Sequence, residues 1–198
     1  MRENENRNAD KRVVTNFGKE WRDFNNESLS DSELFEMFQN YMSIFPWASL
    51  PENPIGFDAG CGSGRWAKYV APKVGTLHCV DAGPEAIGVA RRLLSKHDNV
   101  VFHSESVNEF CIEESSCDFG YSLGVLHHVP DTQSALDACV LKLKTGAPFL
   151  AYLYYDIGHS PLPMRLLFSV VSIVRKIVSK LPYKAKKVIT DLIALLVY

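Results

Sequence analysis

The chain has 198 residues, 46% of them hydrophobic, enough to enclose one proper core. Its formal net charge of -2 argues against a general nucleic-acid binder, whose surface is usually basic. Its five cysteines, Cys61, Cys79, Cys111, Cys117 and Cys139, are odd in number and form no CxxC pair; this speaks against a disulfide framework or a zinc site and for a reducing, cytoplasmic setting.

Residues 1–12 are charged and Asn-rich, with nothing to bury, and read as a frayed tail. They lack the apolar stretch of a signal peptide, and no run in the chain reaches the roughly 20 apolar residues of a spanning helix. Residues 16–24 are unusually aromatic, with Phe17, Trp21 and Phe24. Ser30, followed three residues later by Glu33, predicts a capped helix start, and Leu34, Phe35, Phe38, Tyr41 and Met42 follow at helical spacing. Pro46, Pro51 and Pro54 punctuate the approach to the main domain.

From Ile55 the pattern becomes regular. Strands are predicted over residues 55–58, 76–80, 100–102, 119–123 and 147–155, and helices over 65–70, 84–96 and 132–142. Such alternation implies an α/β, doubly wound, mostly parallel sheet with helices on both faces. Residues 164–180 predict an amphipathic helix with Arg165, Ser169, Ser172, Lys176 and Ser179 in one polar stripe, broken by Pro182. From Ser160 onward there are seven Lys or Arg and one Asp, a local charge of +6 that leaves -8 on the rest. Residues 188–198 are apolar almost to the last, which reads as a truncated end. Three regions are expected: residues 1–50 as tail and helical, aromatic cap, 51–158 as the core, and 159–198 as a basic amphipathic helical segment.

The chemistry-bearing signal is Asp58-Ala59-Gly60-Cys61-Gly62-Ser63-Gly64. Glycines at a strand-to-helix turn let the backbone turn sharply and approach a ligand closely. A dinucleotide fingerprint would require glycine at position 65, where Arg65 stands, so a nicotinamide enzyme is disfavoured. Asp81 falls at the end of the second strand, 21 residues after Gly60, where a carboxylate can accept two hydrogen bonds from a ribose diol.

The run G-x-G-x-G preceded by Asp resembles the first motif of the class I, Rossmann-like S-adenosylmethionine (SAM)-dependent methyltransferases, of the type 11 kind. Cys117-Asp118-Phe119 and Ser122 through Val125-Leu126-His127-His128-Val129 to Asp131 resemble the fourth-strand motif of that family, with Cys117 where Phe is usual. Lys144-Thr145-Gly146-Ala147 resembles its turn into strand five, with two departures. The resemblance covers about residues 55–155. It implies SAM as cofactor, with Asp58, Gly60, Cys61, Gly62 and Gly64 around the methionine portion. Asp81 would hold the ribose hydroxyls and Ala82 pack near the adenine. Ser106, where the family often has Asp, and Val107 would meet the adenine edge, and Leu123 would line the pocket. The family's sheet ends with two further strands that this sequence does not show.

A methyltransferase aligns acceptor, methyl and sulfur, and needs a general base only if the acceptor must lose a proton. His127 is the candidate base, and His128 a weaker one, since adjacent side chains usually point apart. A metal site is not expected. The aromatic segment at 17–24 is either a lid over the site or a strap on the sheet edge, the strap being slightly favoured. The basic segment through 164–198 either packs on the fifth strand or lies on an anionic membrane, packing being favoured. The acceptor is expected to be a small molecule, lipid-like or saccharide, methylated on oxygen or nitrogen. Nucleic-acid amino-methylation is disfavoured because no Asn/Asp-Pro-Pro-aromatic motif follows strand four. The alternative is a methyltransferase-like fold serving as a non-catalytic partner protein.

Overall fold

The computed structural model describes residues 30–154, 161–179 and 189. The chain divides into two units, Met1–Tyr154 and Tyr155–Tyr198. In the first, helix α1 spans Asp31–Tyr41 and starts as expected. The Ser30 side chain accepts from the Glu33 N–H at 3.3 Å, and the Glu33 carboxylate accepts from the Ser30 N–H at 2.8 Å. Leu34 and Phe38 are its buried residues. The aromatic segment at 17–24 lies outside the described residues.

Five strands follow: β1 (Ile55–Ala59), β2 (Thr76–Val80), β3 (Val100–His103), β4 (Phe119–Leu123) and β5 (Phe149–Tyr152). All pair in parallel, in the order β3-β2-β1-β4-β5. The order reverses between β1 and β4, so the carboxyl end of β1 stands at the switch point where open α/β sheets bind ligands. Helix α2 (Ala67–Val70) follows β1, α3 (Pro84–Leu93) follows β2 and α4 (Thr132–Lys142) follows β4.

Three predicted elements are shorter than expected. Helix α2 begins at Ala67, not at 65, because residues 62–66 are still turning out of the glycine loop. Its chain then tightens into a 3-10 turn, Ala71–Lys73, with Pro72 at its start. Helix α3 stops at Leu93, not at 96. There the Ser95 and His97 N–H groups bond back three residues, to Arg92 and Leu94, in place of α-type bonds. Strand β5 runs Phe149–Tyr152, not 147–155: it begins late because Ala147 closes a turn onto the Lys144 carbonyl and Pro148 has no N–H to give, and residues 153–154 are no longer strand, while β1 and β3 each run one residue longer than expected, to Ala59 and His103.

Two apolar layers enclose the sheet. Leu77, Cys79, Phe119 and Tyr121 face the layer of α1, α2 and α3, where Phe38, Trp66, Val70 and Ala90 are buried. Phe57, Ala59 and Val80 face the other, built from Ala135 and Cys139 of α4 and from Val107, Phe110 and Ile112. Those last three belong to the irregular crossover between β3 and β4, which covers its face without a regular helix. At the centre, Gly56 pairs with Phe119 and Phe57 with Gly120. A Cβ on either glycine would overlap the neighbouring phenylalanine ring, so each ring occupies the space that its glycine partner leaves open.

In the second unit, α5 (Leu162–Ser179) carries Leu166, Val170, Ile173 and Ile177 exposed, and Ser169 Oγ donates to the Arg165 carbonyl at 2.8 Å. Among the described residues no helix is long and apolar enough to cross a membrane. The apolar run at 188–198 lies outside the described residues, save position 189.

Candidate functional site

The glycine loop leaves β1 with Gly60, Gly62 and Gly64 at φ +85, +54 and +79, a region that side chains with a Cβ avoid. The Gly60 and Cys61 N–H groups both bond to the Val80 carbonyl, at 2.8 and 2.9 Å, which draws the loop over the end of β2. Gly64 is also close-packed, since a Cβ there would meet Leu94 and Ala90 of the α3 region at 3.0 and 3.2 Å.

Asp81 sits beside this bend. Its carboxylate accepts from the Gly62 N–H at 2.9 Å and from the Gly83 N–H at 2.8 Å, tying the loop to the start of α3. Burial raises its pKa, and the two backbone donors partly offset that. Each oxygen has one backbone partner, so lone pairs remain for further donors. Ala82 follows on the same turn and is half-buried.

Asp58 points into the α1–α3 layer, between Cys79 of β2 and Tyr121 of β4, its register partners on either side. It is 2% exposed, and its Oδ2 has no hydrogen-bond partner. Burial pushes its pKa up to about 8; the Tyr121 hydroxyl and Arg65 hold it down and Asp81 adds to the rise. The Tyr121 hydroxyl is itself buried without a hydrogen bond of ordinary geometry. Two buried polar groups whose mutual contact falls short of an ordinary hydrogen bond cost stability that a bound cationic or donor group would return. Cys61 is buried beside Cys79, and the contact between the two thiols, with burial, pushes its pKa well up.

Ser106 and Val107 lie in the turn after β3, both buried. The Ser106 hydroxyl accepts from the Asn108 N–H at 3.4 Å, a local turn bond that leaves it able to donate. Leu123 ends β4, and Gly124 follows at φ +75.

His127 and His128 lie in the 3-10 turn Leu126–His128. They do not point apart as expected: their ring centroids are 4.1 Å apart, with the ring planes tilted at 50°. The His127 ring also lies 4.1 Å from that of Tyr154, and neither of its nitrogens has a partner. Burial, then the neighbouring His128, lowers its pKa, so the imidazole is neutral at neutral pH and can accept a proton. Among the described residues no group of three or more His, Cys, Asp or Glu could hold a metal ion.

Sequence reasoning missed Tyr121 and the positive contribution of Arg65. Tyr121 was legible in principle, because parallel pairing of the fourth strand with the first sets it beside Asp58. Arg65 was noted only for not being glycine. It is half-buried, stacks 4.5 Å over the Trp66 ring and feels the charge of Asp58.

The fold and this bend define an open α/β domain with a ligand site at the switch point. Residues 57–151 match the family described as methyltransferase domain. The chain is similar to the ubiquinone biosynthesis O-methyltransferase of Aromatoleum aromaticum, 30% identical over 112 residues that make up 51% of this chain and 48% of that protein. The protein of the same name from Klebsiella pneumoniae subsp. pneumoniae is 34% identical over 91 residues, 45% of this chain and 38% of that one. The chain thus matches about half of the length of these relatives or less. In fold it is similar to the YcgJ protein of Bacillus subtilis, with TM-score 0.54, 23% identity and 64% and 52% of the two chains covered. It is equally similar to the N-methyltransferase NodS of Bradyrhizobium japonicum, solved with S-adenosyl-L-homocysteine, with TM-score 0.54, 19% identity and 66% and 67% covered. Residues 57–151 thus match a methyltransferase domain, and the chain shares the fold of these solved structures.

Proposed function

We propose that this protein transfers a methyl group from SAM to a small-molecule acceptor, on oxygen or nitrogen. One observation carries the reading: the Asp58 carboxyl is buried with an unpartnered oxygen beneath a glycine loop that Asp81 ties to the adjoining strand end. A cationic amino-acid group satisfies the first, and a sugar diol suits the remaining lone pairs of the second. SAM, when bound, supplies a methyl already activated by the sulfonium.

This chain's own residues then bind and orient. Asp58 and the loop of Gly60, Cys61, Gly62 and Gly64 hold the methionine portion, Asp81 the ribose hydroxyls, and Ala82, Ser106, Val107 and Leu123 the adenine and pocket walls. Neutral His127 takes the proton where the acceptor is a hydroxyl, and stands idle for an amine or carboxylate. The thiols, all five free, fit a reducing cytoplasmic setting.

Calorimetric titration of the full-length protein with S-adenosylhomocysteine tests this. Binding at micromolar strength is expected, and Asp81→Ala should weaken it about 100-fold, the effect of losing two charge-assisted bonds and the loop tie. A flat titration of the wild-type protein defeats the reading. Binding without transfer to any acceptor favours the non-catalytic partner instead.

A further inference from the structure

Helix α5 carries an apolar face that is open to solvent. Leu166, Val170, Ile173 and Ile177 recur every three or four residues, so they form one stripe along the helix. Val171 and Val174 stand in the next row. Together the two rows span roughly half of the helix circumference. All six side chains are 46 to 61% exposed. A single exposed apolar residue needs no explanation, but a continuous face of them marks a surface that meets something apolar.

The charge on the helix has one sign. Its charged residues are Arg165, Arg175 and Lys176, all exposed, and its sequence holds no Asp or Glu. Arg165 and Lys176 lie in the polar stripe with Ser169 and Ser172, and Arg175 borders the apolar rows from the other side. The surrounding sequence has the same balance, a local charge of +6 from Ser160 onward.

These two features select the occupant. A second copy of the helix would cover the apolar rows but bring three more cations with it, and like charges repel. An anionic lipid surface takes both features at once. The apolar rows enter the boundary between headgroups and acyl chains, while the long Arg and Lys side chains extend past those rows to the headgroup phosphates. Eighteen residues make the helix about 27 Å long at 1.5 Å per residue. That is short of the roughly 30 Å hydrocarbon core, and three cations fall along it, so it lies along a bilayer rather than across one.

We propose that α5 is a membrane-surface helix that holds this protein on an anionic bilayer, its apolar rows in the lipid and its cations on the headgroups. The inference stands apart from the methyltransferase reading, since none of these residues belongs to the cofactor site.

The test floats the full-length protein with vesicles of phosphatidylcholine alone and of phosphatidylcholine mixed with phosphatidylglycerol. The anionic vesicles should bind it about 100-fold more tightly, the summed attraction of three cations, and molar salt should remove most of that preference. Leu166→Asp with Ile173→Asp should weaken binding to the anionic vesicles about 100-fold or more, because it sets carboxylates against lipid. Arg175→Glu with Lys176→Glu should abolish the preference for anionic vesicles while keeping the apolar rows whole. Circular dichroism and urea unfolding check that both variants fold, and the second serves if the first does not. The proposal falls if the wild-type protein stays off the anionic vesicles, or if it binds neutral ones equally well. It falls too if the folded double aspartate variant floats like the wild type. A wild-type dimer that leaves vesicles unbound and dissociates in that variant would make the face a contact between copies. Unbound vesicles together with a large loss of urea stability in the variant would make it part of the chain's own core. Either result overturns the membrane assignment.

Discussion

The two halves of the sheet's carboxyl edge are built by different means. At the β1–β2 end the backbone does the work: three glycines at positive φ, paired N–H groups on one carbonyl, and a carboxylate bridging two strands of backbone. At the β4–β5 end the side chains do it. Tyr41, Tyr152, Tyr154 and His127 follow one another with centroids 4.1 to 6.1 Å apart. The first construction tolerates almost no substitution, because a Cβ collides or a donor is lost. The second tolerates exchange of one apolar group for another, and is where specificity can vary without loss of the fold.

That contrast can be broken most directly with two glycines of similar φ. At Gly60, φ is +85 and a Cβ would run into the Val125 side chain. Gly60→Val should therefore cost about 3 kcal/mol or more in urea unfolding and abolish detectable S-adenosylhomocysteine binding, from strain and overlap together.

The next effect concerns the buried acid. Folded Asp58 titrates at about 8, against 3.8 as the ordinary value. Between those pH values the folded protein holds a proton that the unfolded chain has lost, so its stability falls as pH rises through the window. Asp58→Asn removes that slope. The wild type and the variant should differ little near pH 5, and by pH 8 the ligand-free variant should be the more stable by roughly 2 to 4 kcal/mol, allowing for relaxation around a buried charge. A cationic ligand requires the ionised carboxylate, so S-adenosylhomocysteine affinity should climb with pH toward 8 in the wild type and stay level in the variant. Parallel stability–pH curves for the two proteins would remove Asp58 from the polar half's account.

The smallest effect lies at Gly124, on the aromatic side. Its φ is +75, yet a Cβ there meets nothing within 4 Å. Gly124→Ala should cost only backbone strain, about 1 kcal/mol, and leave cofactor affinity within twofold by calorimetry. Equal damage from the Gly60 and Gly124 changes would show that φ alone, and not close approach, sets the demands of both ends.

Much of the polar half was readable in advance. The aspartate before the glycines, the acid after the second strand and the fourth-strand motif depend on local spacing, and local spacing is what a sequence displays. The β2, β4 and α4 bounds were read to the residue because their turn signals are strong. The misjudged start of α2, end of α3 and start of β5 fall where a loop still uncoiling, a 3-10 turn or a proline replaces the regular bond pattern, and the ends of β1, β3 and β5 were missed by one, one and three residues. The aromatic half was nearly invisible, since Tyr41 and Tyr152 are 111 positions apart and nothing in either neighbourhood announces the other.

By itself the sequence determined the parallel sheet, the glycine bend and the acid beside it, because hydrophobic period and backbone sterics act over a few residues. Only the tertiary structure decided that one oxygen of Asp58 is left without a partner between Cys79 and Tyr121, and that the end of α1 meets β5 to open an apolar cleft. Those depend on strand order and register, which join residues far apart in the chain and are fixed only when both layers close on the sheet.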